Sequence, residues 1–250
     1  MLAKIGIIIA LIILAIMIYV FYKGELYPYM VIDVNSKLSK VSLSKTKFRS
    51  GDLIMFRYDY FKEPKFDKMG YYEMIISCLP CKLPFTHIGM VAVINDIPYI
   101  THIANYSIYD GSGQCVGFKS DLFNLYDYLD NYEGNIYHCR YIGKELDDYH
   151  LYRKMEMYEK LDFKLDHITL LDSLIGTDIA DRKNKTLTCS SYVVKLLMDS
   201  DILGEDSYNS NHFSPNNAFI EAYGTGNYAE PVILINKYAL GYSSNRSCKK

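Results

Sequence analysis

Cys189, His87 and His102 are the residues whose types and placement could do covalent chemistry in this chain. Leu187-Thr188-Cys189-Ser190-Ser191-Tyr192-Val193 opens a stretch with the pattern of a helix from about Thr188 to Ser200. Val193, Leu196 and Leu197 lie four, seven and eight positions after Cys189, which puts the thiol on the inward face. Thr188 can cap the helix by accepting from an amide of the first turn. A thiolate at a helix start is stabilised by the dipole and by unpaired backbone amides, so its pKa is expected to fall. Cys189 is therefore a candidate nucleophile. The competing reading is a small buried hydrophobe, the commoner fate of a cysteine on an apolar face.

A cysteine nucleophile needs a base within hydrogen-bond reach and a further polar group to orient that base. His87 and His102 each sit in an otherwise apolar β-like stretch, Thr86 to Ile94 and Pro98 to Ile103, joined by the hairpin signal Asn95-Asp96. A turn centred there sets His102 opposite Gly89, with His87 one diagonal away, so all three share a face. A one-residue slip would undo that arrangement. Two satisfied core histidines remain the alternative. His138 alternates within a strand, His150 and His167 lie in charged helical stretches, and His212 is in a polar loop; each reads as an ordinary residue.

These candidates need a frame of strands followed by helices. Ser50-Gly51-Asp52 reads as a turn, Leu53 to Tyr58 as a buried strand, Cys115 to Phe118 as a short strand and Asp121 to Leu129 as a helix. Asn135 to Ile142 alternates as a strand, Leu146 to about Phe163 is an amphipathic helix, and Ile168 to Ile175 is helical. Pro215 to Ala222 reads as a short helix and Pro231 to Ile235 as a closing strand. The expected fold class is α+β. Tyr60 to Pro84 reads as an insertion loop.

The amino-terminal run Ile5 to Tyr22 holds 18 residues without a charge, enough to span roughly 27 Å as a helix. No small-x-small cleavage site follows it, so an uncleaved anchor is expected rather than a signal peptide. The expected organisation is a transmembrane anchor over 1–23, a tether over 24–48, a catalytic domain over 49–238 and a tail over 239–250. Lys23, Lys37 and Lys40 outweigh Lys4, which leans toward a cytosolic body on a single-pass membrane protein.

Composition excludes several classes. The net charge of -2 and the lack of a basic stripe argue against a nucleic-acid partner. Six cysteines in 250 residues are too sparse for a disulfide scaffold. Cys78-x-x-Cys81 has no second cysteine or histidine pair to complete a zinc site and no thioredoxin-like context, so neither metal nor cofactor is expected.

Gly51-Asp52-Leu53-Ile54, then Thr86-His87-Ile88-Gly89-Met90-Val91, then Cys189-Ser190-Ser191-Tyr192-Val193 resembles, in that order, the circularly permuted papain-like superfamily. That group includes the YiiX-like branch of NlpC-type hydrolases, related poxvirus proteins and the lecithin:retinol acyltransferase-like enzymes. The resemblance runs from about Ser50 to Ile235. It implies an NlpC-type domain whose antiparallel sheet packs on helices, with Cys189 as nucleophile, His87 as base and His102 as the third polar residue. An acidic residue is expected at that third position in many YiiX-like members, whereas the acyltransferase-like branch carries histidine there.

The chemistry so implied is acyl transfer on an amide, ester or thioester, from a peptide, isopeptide or lipid acyl substrate. Hydrolysis and transfer use the same set. The alternative is a membrane-anchored papain-like domain that binds, or builds an envelope, without catalysis.

Overall fold

The computed structural model describes residues 11–15, 38–58, 85, 87–109, 115–130, 132, 134–159, 189–204 and 213–236. Its elements in chain order are β1 (Lys40–Ser42), a 3-10 turn (Leu43–Lys45), β2 (Leu53–Tyr58), β3 (His87–Ile94), β4 (Ile97–Tyr109) and β5 (Cys115–Asn124). There follow α1 (Leu125–Asp130), β6 (Gly134–Cys139), α2 (Asp148–Glu159), α3 (Cys189–Asp199), α4 (Pro215–Gly224) and β7 (Val232–Ile235). The strands form one seven-stranded sheet in the order β1-β7-β6-β2-β3-β4-β5. Among the described strands only β1 and β7 run parallel; the other neighbours are antiparallel. The α+β class expected from the sequence is the class observed.

Alternation along the central strands explains the two layers. Leu53, Met55, Ile88, Met90 and Ala92 face one side, where α2, α3 and α4 cover them with Met155, Tyr192, Val193, Leu196, Leu197 and Phe219. Ile54, Phe56, Val91, Ile100 and Ile136 face the other, under Leu125 and Leu129 of α1 and Leu43. A strand buried on both faces reads as a continuous apolar run, which is what β2 and β3 are. In α3 the residues from Ser190 to Val194 and the pair Leu196 and Leu197 are all buried.

The hairpin joining β3 to β4 follows the expected register. Asn95 and Asp96 both have positive φ, 51° and 62°, the backbone of a two-residue type I′ turn, which suits the right-handed twist of the flanking strands. The ladder runs from Ile94↔Ile97 to Met90↔Thr101.

Several expectations need correction. Residues 121–124 belong to β5, which pairs with β4 as far as Tyr99↔Asn124, and the helix starts only at Leu125. Interstrand bonds here outweigh a helical pattern only a few residues long. The segment read as tether contributes β1, paired Lys40↔Ile233 to Ser42↔Ile235, and buries Leu43. Among the described residues no helix is long and apolar enough to cross a membrane. Of the expected anchor only residues 11–15, a helical stretch, are described, so the transmembrane helix expected before the domain has no support in the structure. The Tyr60–Pro84 loop, the 168–175 helix and Cys78-x-x-Cys81 lie outside the described residues.

Candidate functional site

Cys189 is the first residue of α3 and His87 the first of β3. Both are half-buried. Cys189 packs against the core between the sheet and the three helices. His87 pairs with Phe56 of β2 and its ring stands 5.7 Å from the Phe56 ring, centroid to centroid. Phe56 belongs to the core on the opposite face, so the imidazole projects from the α1 side of the strand. Burial pushes the His87 pKa down to about 4. At neutral pH the ring is an uncharged imidazole, able to accept a proton but weakly basic while it stays there. His102 lies on β4 in register with Asp121 of β5, one step beyond the Met90↔Thr101 pair. Continuing that register sets position 102 opposite Gly89.

One short segment ties the starts of β3 and α3 together. The Ser190 hydroxyl, next to Cys189, donates to the Phe213 carbonyl. Three residues on, the buried Asn216 side chain grips the backbone of Phe85, two positions before His87. Its Oδ1 accepts from the Phe85 amide at 3.1 Å and its Nδ2 donates to the Phe85 carbonyl at 3.1 Å. Ser214 caps α4 between these contacts, its Oγ accepting from the Asn217 amide at 3.2 Å. Phe85 in turn stacks near Tyr137 and Phe219, at 5.1 and 5.3 Å.

Asp52 of the Gly-Asp turn has a different task. It is wholly buried. Its Oδ2 accepts from His138 Nε2 at 2.8 Å and from the Arg49 amide at 3.0 Å, while Oδ1 accepts from the Tyr141 amide at 2.8 Å. Gly51 precedes it with φ of +90°, and a Cβ there would meet the Leu146 side chain at 2.8 Å. Tyr228 closes the knot by donating to the Gly51 carbonyl at 3.0 Å. The Gly-Asp pair thus fastens the start of β2 to the end of β6. His138, read from the sequence as ordinary, is a buried partner of this carboxylate. The signal for it is slight: His138 alternates in phase with Ile136 and Ile142, but also with Arg140.

Cys139 shows what a structural thiol looks like in this fold. It is buried, its Sγ donates to the Ala229 carbonyl at 3.0 Å, and burial together with the nearby Asp52 charge pushes its pKa up. Among the described residues no group of three or more histidine, cysteine or acidic side chains could hold a metal ion.

No family model matches the chain. No curated protein matches it either. Among solved structures it is similar to the metalloprotein yiiX from Escherichia coli O157:H7, at 15% identity and a TM-score of 0.38, over 78% of this chain and 93% of that one.

Proposed function

We propose that the chain is a membrane-anchored cysteine acyl hydrolase or acyltransferase of the permuted papain-like kind, with Cys189 as nucleophile and His87 as base. The observation carrying this reading is the shared tether: residues 213–216 bond to the neighbour of Cys189 and to the backbone just before His87. Two chemistry-bearing side chains at the first positions of their elements are thereby held to one end of the layered core. They would meet past the end of the sheet, since their faces differ. The thiol would attack the carbonyl carbon, His87 would take the thiol proton and return it to the leaving group, and an acyl-enzyme would form. Water or an acceptor amine or alcohol would then release the acyl group. The Cys189 amide at the helix start is suited to stabilise the oxyanion. His102 would orient the base, and the run Ile5 to Tyr22 would bring the site to a membrane surface, where peptide and lipid acyl groups are both within reach.

The second reading, a papain-like domain that binds without catalysis, is favoured by the contact of the His87 ring with Phe56. An acyl-type activity probe separates the two. Wild-type chain is expected to label at Cys189, Cys189→Ala to lose the label, and His87→Ala to lose most of it. Equal labelling of Cys189→Ala and wild type would end the enzymatic reading.

A further inference from the structure

Phe85 and Ile88 are three residues apart, yet both belong to the core on the helical side. Regular extended chain would put positions 85 and 87 on the same face. Phe85 therefore departs from the alternation of β3, whose first pair, Phe56↔His87, sets the face of His87. What holds Phe85 at this point is the Asn216 carboxamide, which satisfies both its amide and its carbonyl as a neighbouring strand would. On the other side of the β3 start, the β3–β4 ladder begins only at Met90. Asn216 is wholly buried and set in the first turn of α4, so its own geometry is fixed. The same turn of chain receives the Ser190 hydroxyl at Phe213.

We infer that Asn216 and Ser190 are positioning residues for the Cys189–His87 pair, Asn216 holding the chain two positions before His87 and Ser190 setting the start of α3. The inference rests on the thiol–imidazole reading above and adds to it the two residues through which one segment fixes the distance between the partners. Neither residue touches the reacting atoms in this role. Asn216 acts through Phe85, and Ser190 acts through the position of the helix start.

The test is site-resolved alkylation of the full chain by iodoacetamide between pH 5 and 9, followed at Cys189 and at Cys139 by peptide mass spectrometry. Cys139 reports folding, because its buried thiol is reactive only when the core opens. Ser190→Ala and Asn216→Ala are each expected to slow Cys189 alkylation at pH 7 by about tenfold. They should also move its pH midpoint toward that of an ordinary thiol while Cys139 stays protected, and Ser190→Thr, which keeps the hydroxyl, is expected to restore the wild-type profile. Should Asn216→Ala expose Cys139, the Ser190 pair decides. Wild-type Cys189 profiles in Ser190→Ala, or in Asn216→Ala with Cys139 protected, would overturn the inference. His87→Ala in the same assay separates the two levels. If it too leaves the profile unchanged, the thiol–imidazole reading fails and the positioning role falls with it. If it alters the profile and the tether variants do not, only the positioning role is lost.

Discussion

At the scale of single residues, the polar side chains divide into those that hold the fold and those poised at element starts. Asp52 belongs to the first group. Its buried carboxylate accepts from three donors in two parts of the chain, the Arg49 amide just before it and His138 and Tyr141 at the end of β6. Removing one partner of such a buried set strands the others, which costs more than the set contributes as a whole. Asp52→Ala is expected to lower unfolding free energy by about 3 kcal/mol, and Asp52→Asn by less, since one acceptor survives. In a double-mutant cycle with His138→Phe the two losses should fall short of additivity; additive losses in urea unfolding would show the contact to be energetically idle. His87 behaves differently. Its folded pKa, about 4, lies below the unfolded 6.5, so below pH 6.5 the unfolded chain takes a proton that the folded chain refuses. Stability is therefore full above about 6.5, declines as pH falls toward 4, and levels off below that. For a half-buried ring the loss is about 2 kcal/mol after allowance for solvent screening. His87→Phe should flatten that part of the stability–pH curve; an unchanged slope in the variant would assign it to another group.

At the scale of elements, what could be read from the sequence is what local physics decides. Asn95 and Asp96 tolerate positive φ, and alternation on either side fixes which residues face which core, so the β3–β4 register followed from the chain alone. The periodicity of Val193, Leu196 and Leu197 likewise located α3 and put Cys189 at its start. Residues 121–124 were misread because Asp-Leu-Phe-Asn fits the first turn of a helix as readily as the end of a strand. Pairing with Tyr99 and its neighbours decides the matter. Asp52–His138 and Asn216–Phe85 were invisible because the partners are 86 and 131 residues apart, and nothing in a single sequence couples them. For the candidate site, the places of Cys189 and His87 at the starts of α3 and β3 were legible, and the tether between those starts was not. The turn also offers a test at this scale. Asp96 has φ of 62°, a conformation that glycine adopts without steric cost. Asp96→Gly is expected to stabilise the domain by a few tenths to about 1 kcal/mol, glycine being the preferred second residue of a type I′ turn. A measured loss of stability would mean that the Asp96 side chain holds the turn by a bond of its own.

For the whole molecule, the question is where the folded unit begins, and β1 answers it differently from the composition of the chain. Residues 24–48 look like a polar tether, with Lys and Ser spaced through 36–45. Yet Lys40–Ser42 is the edge strand of the sheet, lying parallel to β7 at the far end of the domain sequence. Such pairing is non-local and gives no local signal, which is why a three-residue strand escapes a reading by pattern. The consequences of losing it are concrete. Leu43 would leave the core beneath α1, at about 2 kcal/mol for a buried leucine. Thr46, whose hydroxyl donates to the Ser42 carbonyl at 3.0 Å and whose carbonyl accepts from Tyr126 Oη at 3.0 Å, would go with it. The outer edge of β7 would then be bare, a row of unpaired amides and carbonyls open to another chain. A chain starting at residue 37 should therefore melt cooperatively and stay monodisperse. One starting at residue 49 should lose at least about 3 kcal/mol and associate at micromolar concentration through the exposed edge. Paired melting and light-scattering measurements on the two truncations check this. Equal stability and equal dispersity would return 24–48 to the role of a tether and place the start of the domain at the Gly-Asp turn.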